Sequence, residues 1–501
     1  MTSEDEAPAA VPEPVDERRL HPAYLLIGGV RIAKNLVPAA IGLVVGLRET
    51  GLLALVALAL LAIAMAVVEW RVTRYAVVDG TLRLRSGLLQ RSERVVPASR
   101  VSALDTSRGL IQRLFGLVSV EVQTAGGGKR AEIRLDAVSF EEAERLRAAL
   151  GHATVAGPLA PLVPGAAGPA SPAGTPGSRE AVAPAPVPAP VVYAISAREL
   201  LIAALTGPQL GIVVVAVGSL ASQARDLLPE HLTDEAGDAL SRSGAGTIAL
   251  LVAAALLVAA VVSVLGTVLA FAEFTVTRDG SRLRVRRGLL TERTGTVPLD
   301  RVQGVRVVEG LLRRPLGYAT IQVEVAGYSG EDELTRTLVP LVRRDAVPEL
   351  LDRLVPGLRW PEALERPPAR ARRRYLLPPL ALALVPAAAA VVWLPGGWAL
   401  AAAVPPVVAL LWGQARWRAA GWQLTAETLA LRHRLVARTT LLAVPGRLQR
   451  TAVRRTPFQR RAGLASFSTV LATKRRGAVA HLDAAVAAAL QHAATRRRPV
   501  G

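Results

Sequence analysis

The sequence contains no cysteine. Disulfides, thiolate nucleophiles, cysteine-ligated zinc and iron–sulfur clusters are therefore excluded. Lysine is scarce as well: Lys34, Lys129 and Lys474 are the three in the chain, so nearly all positive charge is arginine. Together with abundant alanine this reads as high-GC coding bias, which weakens arginine content as a sign of nucleic-acid binding. Aromatic residues make up 4%, too few to interleave with the basic runs as base-stacking platforms, and no nucleic-acid partner is expected. The six histidines, His21, His152, His231, His433, His481 and His492, form neither HExxH nor a close pair, so no metal site is expected. GxxxxGK[ST] and GxSxG are also missing. Gly126-Gly127-Gly128-Lys129 lies between strand-like runs with no helix behind it, and reads as a hairpin loop rather than a phosphate cradle. The first twenty residues are acidic and proline-rich without an apolar stretch, so a cleaved signal peptide is not expected. No catalytic residue, cofactor or enzymatic activity follows from any of these patterns.

What is present is apolar length. The 501 residues are 51% hydrophobic with a mean hydropathy of +0.35, yet carry 20% charged residues and a net charge of +20. Polar and apolar parts must be segregated along such a chain. A membrane-spanning helix needs about 20 apolar residues. Gly51–Trp70 and Thr247–Ala272 meet this cleanly, and Leu200–Ser222 meets it with Pro208 inside. Tyr24–Leu47 carries Arg31 and Lys34 near one end, where long side chains can reach the head groups. Tyr375–Leu394 and Gly397–Gly413 complete six expected spans in three hairpins. Arginines flank one side throughout: Arg18, Arg19, Arg71, Arg74, Arg198, Arg370, Arg372, Arg373, Arg374, Arg416 and Arg418. The positive-inside rule then places both termini and every large polar segment in the cytoplasm.

The polar segments repeat. The first contains Asp79-Gly80, Leu82-Arg83-Leu84-Arg85, Gly87-Leu88-Leu89, Val96-Pro97, Arg100-Val101, Arg113-Leu114-Phe115-Gly116 and Val120-Glu121-Val122. The second contains Asp279-Gly280, Leu283-Arg284-Val285-Arg286, Gly288-Leu289-Leu290, Val297-Pro298, Arg301-Val302, Arg314-Pro315-Leu316-Gly317 and Ile321-Gln322-Val323, and from Gly87 to Gly126 the two run without a gap at an offset of 201. A third and more divergent copy has Leu429-Ala430-Leu431-Arg432, Val444-Pro445, Arg447-Leu448 and Arg460-Arg461-Ala462-Gly463, and reads as having lost one residue after its proline. Self-similarity of this kind outranks local motifs. Alternation such as Leu82/Leu84 against Arg83/Arg85 marks half-buried strands, and Asp-Gly marks tight turns. Each copy ends in an amphipathic helix: after Ser139, with Glu142 three residues on as a capping box, and over Asp345–Leu354 and Asp483–Leu490. Strands closed by one C-terminal helix form the outline of a pleckstrin-homology-like barrel. A Pro/Ala/Gly tract between His152 and Val192 reads as a tether.

These landmarks, with Arg19-Leu20-His21-Pro22 before the first span, resemble bacterial membrane proteins with YdbS-like, membrane-flanked PH domains, and the three-unit YdbT type among them. The resemblance implies an α+β membrane protein whose transmembrane hairpins are each followed by a PH-like two-sheet barrel capped by a helix. It implies no catalytic residues. The expected organisation is an acidic N-terminus (1–23), hairpin 1 (24–70), PH-like domain 1 (71–151), a linker (152–192), hairpin 2 (198–273), domain 2 (274–357), hairpin 3 (375–413), domain 3 (417–494) and a basic tail (495–501).

Arg83, Arg85, Arg91 and Arg94 should share an outer face of the first unit, Arg284, Arg286, Arg287 and Arg293 of the second, and Arg432, Arg434 and Arg438 of the third. Each base near an anionic leaflet is worth about 1 kcal/mol, so such faces are candidates for contact with anionic head groups or a partner. The plain alternative is a solvated strand face in an arginine-rich coding context. The expectation is a non-enzymatic scaffold in the bacterial cytoplasmic membrane, working in envelope stress, with lipid, a second copy, or another PH-domain membrane protein as partner. Two other readings stand beside it: a transporter or export accessory using the six helices, and a platform whose barrels associate through sheet edges.

Overall fold

The computed structural model describes residues 17–29, 51–87, 91–124, 133–150, 189–207, 245–326, 336–393, 396–473 and 475–495. Most of the expected spans Tyr24–Leu47 and Leu200–Ser222, most of the 152–192 tract, the Gly126–Gly128 loop and the basic tail lie outside them.

Each polar segment forms the same unit. Unit 1 has β1 (Arg18–Arg19), β2 (Arg74–Val78), β3 (Thr81–Ser86) and β4 (Ser92–Pro97) in one antiparallel sheet. Its second set is β5 (Val101–Arg108), β6 (Leu117–Thr124) and β7 (Ile133–Ser139), closed by the helix Phe140–Ala149. Unit 2 repeats this with β8 (Val191–Ala194), β9 (Thr275–Asp279), β10 (Arg282–Arg287) and β11 (Glu292–Pro298), then β12 (Val302–Glu309), β13 (Tyr318–Val325), β14 (Thr337–Arg343) and the helix Val347–Leu354. Unit 3 has β15 (Gly421–Leu424), β16 (Leu429–Arg434) and β17 (Arg438–Ala443), then β18 (Arg450–Arg454), β19 (Leu464–Val470), β20 (Arg476–Asp483) and the helix Ala484–Thr495.

Period-two alternation does what it dictates: Leu82 and Leu84 are buried while Arg83 and Arg85 are exposed. Among the described residues each unit has a main apolar core, centred on residues such as Val120 and Leu135, Val305 and Ile321, and Leu464 and Phe467, and Leu441, Ala443 and Leu471 form a further small cluster in unit 3. Ser139 caps the first closing helix, its Oγ accepting from the Glu142 amide at 3.3 Å; such a cap is worth about 1 kcal/mol. The β2–β3 turn is Asp79-Gly80 with both residues at positive φ, 49° and 67°. In unit 2 the register Asp279↔Arg282 moves the turn one residue on, to Gly280-Ser281.

The third copy departs from its sequence reading. As far as β19 the ladders keep one offset of 146 from unit 2, pairing Arg286↔Thr294 as Arg432↔Thr440 and carrying Gly317 to Gly463. No residue is lost at the proline: Pro445 occupies the place of Leu299, opening the 3-10 turn Pro445–Arg447 where unit 2 has Leu299–Arg301.

A lead-in segment ahead of each expected hairpin pairs with the first strand after it. Arg18–Arg19 pairs with β2, Val191–Ala194 with β9, and Glu365 bridges to Trp422. The residues Arg18 to Ala23, counted with the acidic tail from sequence, are therefore part of unit 1: Leu20 is buried, and its carbonyl accepts from Trp70 Nε1 at 2.9 Å.

The helices Gly51–Val72, Ala245–Phe271 and Arg372–Trp393 cover three expected spans. Two stretches among the described residues are long and apolar enough to cross a membrane, Ala253–Phe271 and Ala369–Val392. They leave Leu257, Val258, Leu382 and Val392 uncovered. The expected sixth span is a 3-10 turn, Gly396–Ala403, followed by the helix Val404–Ala419. It packs closely on Arg372–Trp393, where a Cβ on Gly413 would sit 2.7 Å from the Tyr375 carbonyl oxygen.

The units are not separate beads. Sheet order β7-β6-β5-β11-β10-β9-β8 joins units 1 and 2, and order β14-β13-β12-β17-β16-β15 joins units 2 and 3. In both cases the first strand of a second set pairs antiparallel with the last strand of the next unit's first set.

Candidate basic surface at the helix ends

Each first strand starts two or four residues after a long helix: Arg74 after Val72, Thr275 after Phe271, Gly421 after Ala419. Their ladder partners are Arg85, Arg286 and Arg432. One arginine thus recurs at the barrel end nearest the helix in every unit, and the 201 and 146 offsets carry it from unit to unit.

The surroundings of these arginines differ. In unit 1, Arg83, Arg85, Arg91 and Arg94 are all exposed. Arg85 meets Glu17 at 2.7 Å and Glu93 at 3.5 Å, and Arg74 reaches Glu17 at 3.6 Å. A shallow depression lies among Glu17, Arg74, Tyr75, Arg83, Arg85 and Glu93. Burial pushes the Tyr75 phenol up to about 12, with Glu142 adding to the shift.

In unit 2 the basic strand is drawn into the protein. Arg287 is buried, its guanidinium 5.7 Å from the ring centre of Phe271 at the helix end. Arg286 pairs with Glu292 at 2.6 Å and lies 3.9 Å from Glu273. Arg284 is half-buried; burial, then Arg147 of unit 1, lowers its pKa. Arg293 stays exposed. In unit 3, Arg432 donates to the Ala419 carbonyl at 3.2 Å, capping the helix end. Burial, then Arg438, pushes it down to about 10. Arg434 is half-buried, and Arg438 is buried against Glu309 of unit 2. The ten candidate arginines and Arg438 therefore form no single surface. Those of unit 1 face outward, whereas most of the others line the helix ends and the junctions.

The junction residues carried no motif in the sequence. At the first junction Arg108 and Glu292 are Cα partners, and the Glu292 carboxylate lies 3.6 Å from Arg113 of unit 1. At the second, Glu309 and Arg438 are partners at the same structural position. A Cβ on Gly304 would run into the Leu442 carbonyl oxygen of β17, so only glycine permits this approach. Gln303 accepts from the Ala472 amide at 2.7 Å and its carbonyl accepts from Val444 at 3.0 Å. A hint was available at the 201 offset, where Arg108 becomes Glu309.

Arg313 was missed too. It donates to Thr206 at 3.1 Å and the Ala203 carbonyl at 3.0 Å, tying the helix Ala197–Leu205 to the unit 2 barrel. Burial pushes it down to about 10. Gln112 and Gln459 hold its place in units 1 and 3 and bond within their own barrels.

The model of the family described as "Bacterial PH domain" matches residues 27–154, 234–356 and 379–498. The chain belongs to this family. It is a three-unit bacterial PH protein of the membrane. The chain is 27% identical over 469 residues to UPF0699 transmembrane protein YdbT of Bacillus subtilis, covering 91% of this chain and 92% of that protein. It is 32% identical over 80 residues to UPF0699 transmembrane protein YdbS of the same organism, covering 16% of this chain and 48% of that protein. No solved structure matches.

Proposed function

We propose that the chain is a non-enzymatic membrane scaffold: three hairpins, six spans in all, hold three PH-like units on the cytoplasmic face of the bacterial membrane. There the helix-end arginines contact anionic lipid head groups. The observation that carries this reading is the recurrence of Arg85, Arg286 and Arg432 opposite the first strand residue after a helix. A residue so placed lies within a Debye length, about 8–10 Å, of the head groups. The strand-to-strand junctions support the scaffold part, since they make three barrels one platform. Neither relative's name carries an activity.

The test uses the full chain in nanodiscs containing phosphatidylglycerol or phosphatidylcholine. Protection of unit 1 from hydrogen exchange should rise with the anionic lipid and fall with salt. Arg83→Glu with Arg85→Glu should abolish that difference. A wild-type protein indifferent to lipid charge ends the lipid part of the reading.

A further inference from the structure

The two junctions follow one rule, and the rule leaves an edge vacant. Strand β5 of unit 1 takes β11 of unit 2, and β12 of unit 2 takes β17 of unit 3. Each contact is heterologous, so a chain of three units ends in two complementary edges: β4 on unit 1 and β18 on unit 3. Among the described residues no strand pairs with the outer edge of either.

The β4 edge has the form of a docking strand. It is six residues long, as β17 is, and Ser92, Glu93, Arg94 and Val95 are exposed along it. All six residues of β17 are buried under its junction. Val95 is 52% exposed, an unusual setting for valine on a strand. An uncovered edge invites pairing unless it is blunted. The β18 edge is blunted: five residues long, it ends at Arg454, and Arg455 is tied back to the Ala484 carbonyl at 3.3 Å.

Charge identifies the occupant. Both junctions keep the same register, and one shared position holds a base and an acid as Cα partners: Arg108 with Glu292, whose carboxylate is met by Arg113 and Arg286, then Glu309 with Arg438, which pair directly. Along the β4 edge that position falls to Arg91, the residue just before the strand, by the 201 offset from Glu292. The strand that fits must therefore bring a carboxylate there. A second copy of this chain would bring Arg455, by the 146 offset from Glu309, and set arginine against arginine. Like charges directly opposite each other disfavour pairing.

The geometry points to a docking edge on β4 for a different polypeptide: a PH-like unit whose second sheet begins with a strand ending in Asp or Glu opposite Arg91. The proposal rests on strand order and register, not on the lipid reading, so loss of lipid contact would leave it standing.

The test places the photo-cross-linker p-benzoylphenylalanine at Val95 of the full chain in native membranes, followed by sequencing of the cross-linked peptide. The expected capture is the corresponding strand of a PH-like unit on another chain. Arg91→Glu should lower its yield about fivefold, and exchanging the partner carboxylate for arginine should restore it. Arg91 is exposed at a hairpin end, so its reversal leaves the unit 1 core intact. Capture of residues 450–454 from a second copy overturns the proposal. So do capture of a protein without PH-like units, capture of lipid alone, and a yield unaffected by Arg91→Glu.

Discussion

Glu309 and Arg438, 129 residues apart in sequence, face each other across the β12–β17 boundary and share two hydrogen bonds, one of 2.8 Å. Their side chains are 3% and 8% exposed. Removing one member of a buried pair strands the other charge, at about 3–5 kcal/mol, whereas replacing both with apolar residues is often neutral. Arg438→Met should therefore release hydrogen-exchange protection in β12 and β17 together. Adding Glu309→Leu should recover most of it.

Gly304 sets how closely those two strands approach. Gly304→Val should push β17 outward and weaken the second junction by about 1–3 kcal/mol. Limited proteolysis should then cut between units 2 and 3, near residues 356–366, faster than in wild type. The first junction, on the far side of unit 2, should keep its protection.

His481 gives unit 3 an acid-sensitive point. Burial, then Arg416 and Arg374, pushes its pKa down to about 4. The neutral ring is favoured in the folded state, and Gln459 Nε2 lies 2.9 Å from its Nδ1. The unfolded chain binds the proton first, at about 6.5. The stabilisation is thus full above that pH and is lost as pH falls toward 4. His481→Asn should flatten this part of the stability–pH curve while tolerating the positive φ of 58° at the site. Denaturant midpoints for unit 3 at pH 7, 5.5 and 4 give the comparison.

Glu17 tempers the exposed basic face of unit 1 through Arg85 and Arg74. Glu17→Gln should strengthen contact with phosphatidylglycerol nanodiscs about fivefold at low salt, since one charge near the surface is worth about 1 kcal/mol. The gain should vanish near 1 M salt, where the Debye length is about 3 Å. Equal binding by both proteins at low salt would separate Glu17 from lipid contact.

The triplicate barrel was readable because its signals are local. Leu82-Arg83-Leu84-Arg85 alternates, Ser139 and Glu142 cap a helix, and the copies register at a fixed spacing. The helix-end position of Arg85, Arg286 and Arg432 was half-readable: the residues stood out, but their partners Arg74, Thr275 and Gly421 depend on strand register. The junctions were not readable. Whether Arg284 faces solvent or Arg147 is decided by which strand pairs next, and nothing within a single unit encodes that choice. The third unit misled by its proline, because Val444-Pro445 mimics Val297-Pro298 one residue out of step.

The lead-in pairing has a mechanical consequence. Since Arg18–Arg19 lies beside Arg74–Tyr75 in the ladder, the chain ahead of Tyr24 and the chain just after the helix Gly51–Val72 run about one strand spacing apart there, near 4.8 Å. With β2 starting two residues after it, that helix cannot lean without turning the barrel it leads into. Because neighbouring barrels share sheets, a lean imposed on one helix is passed as torque to the next barrel.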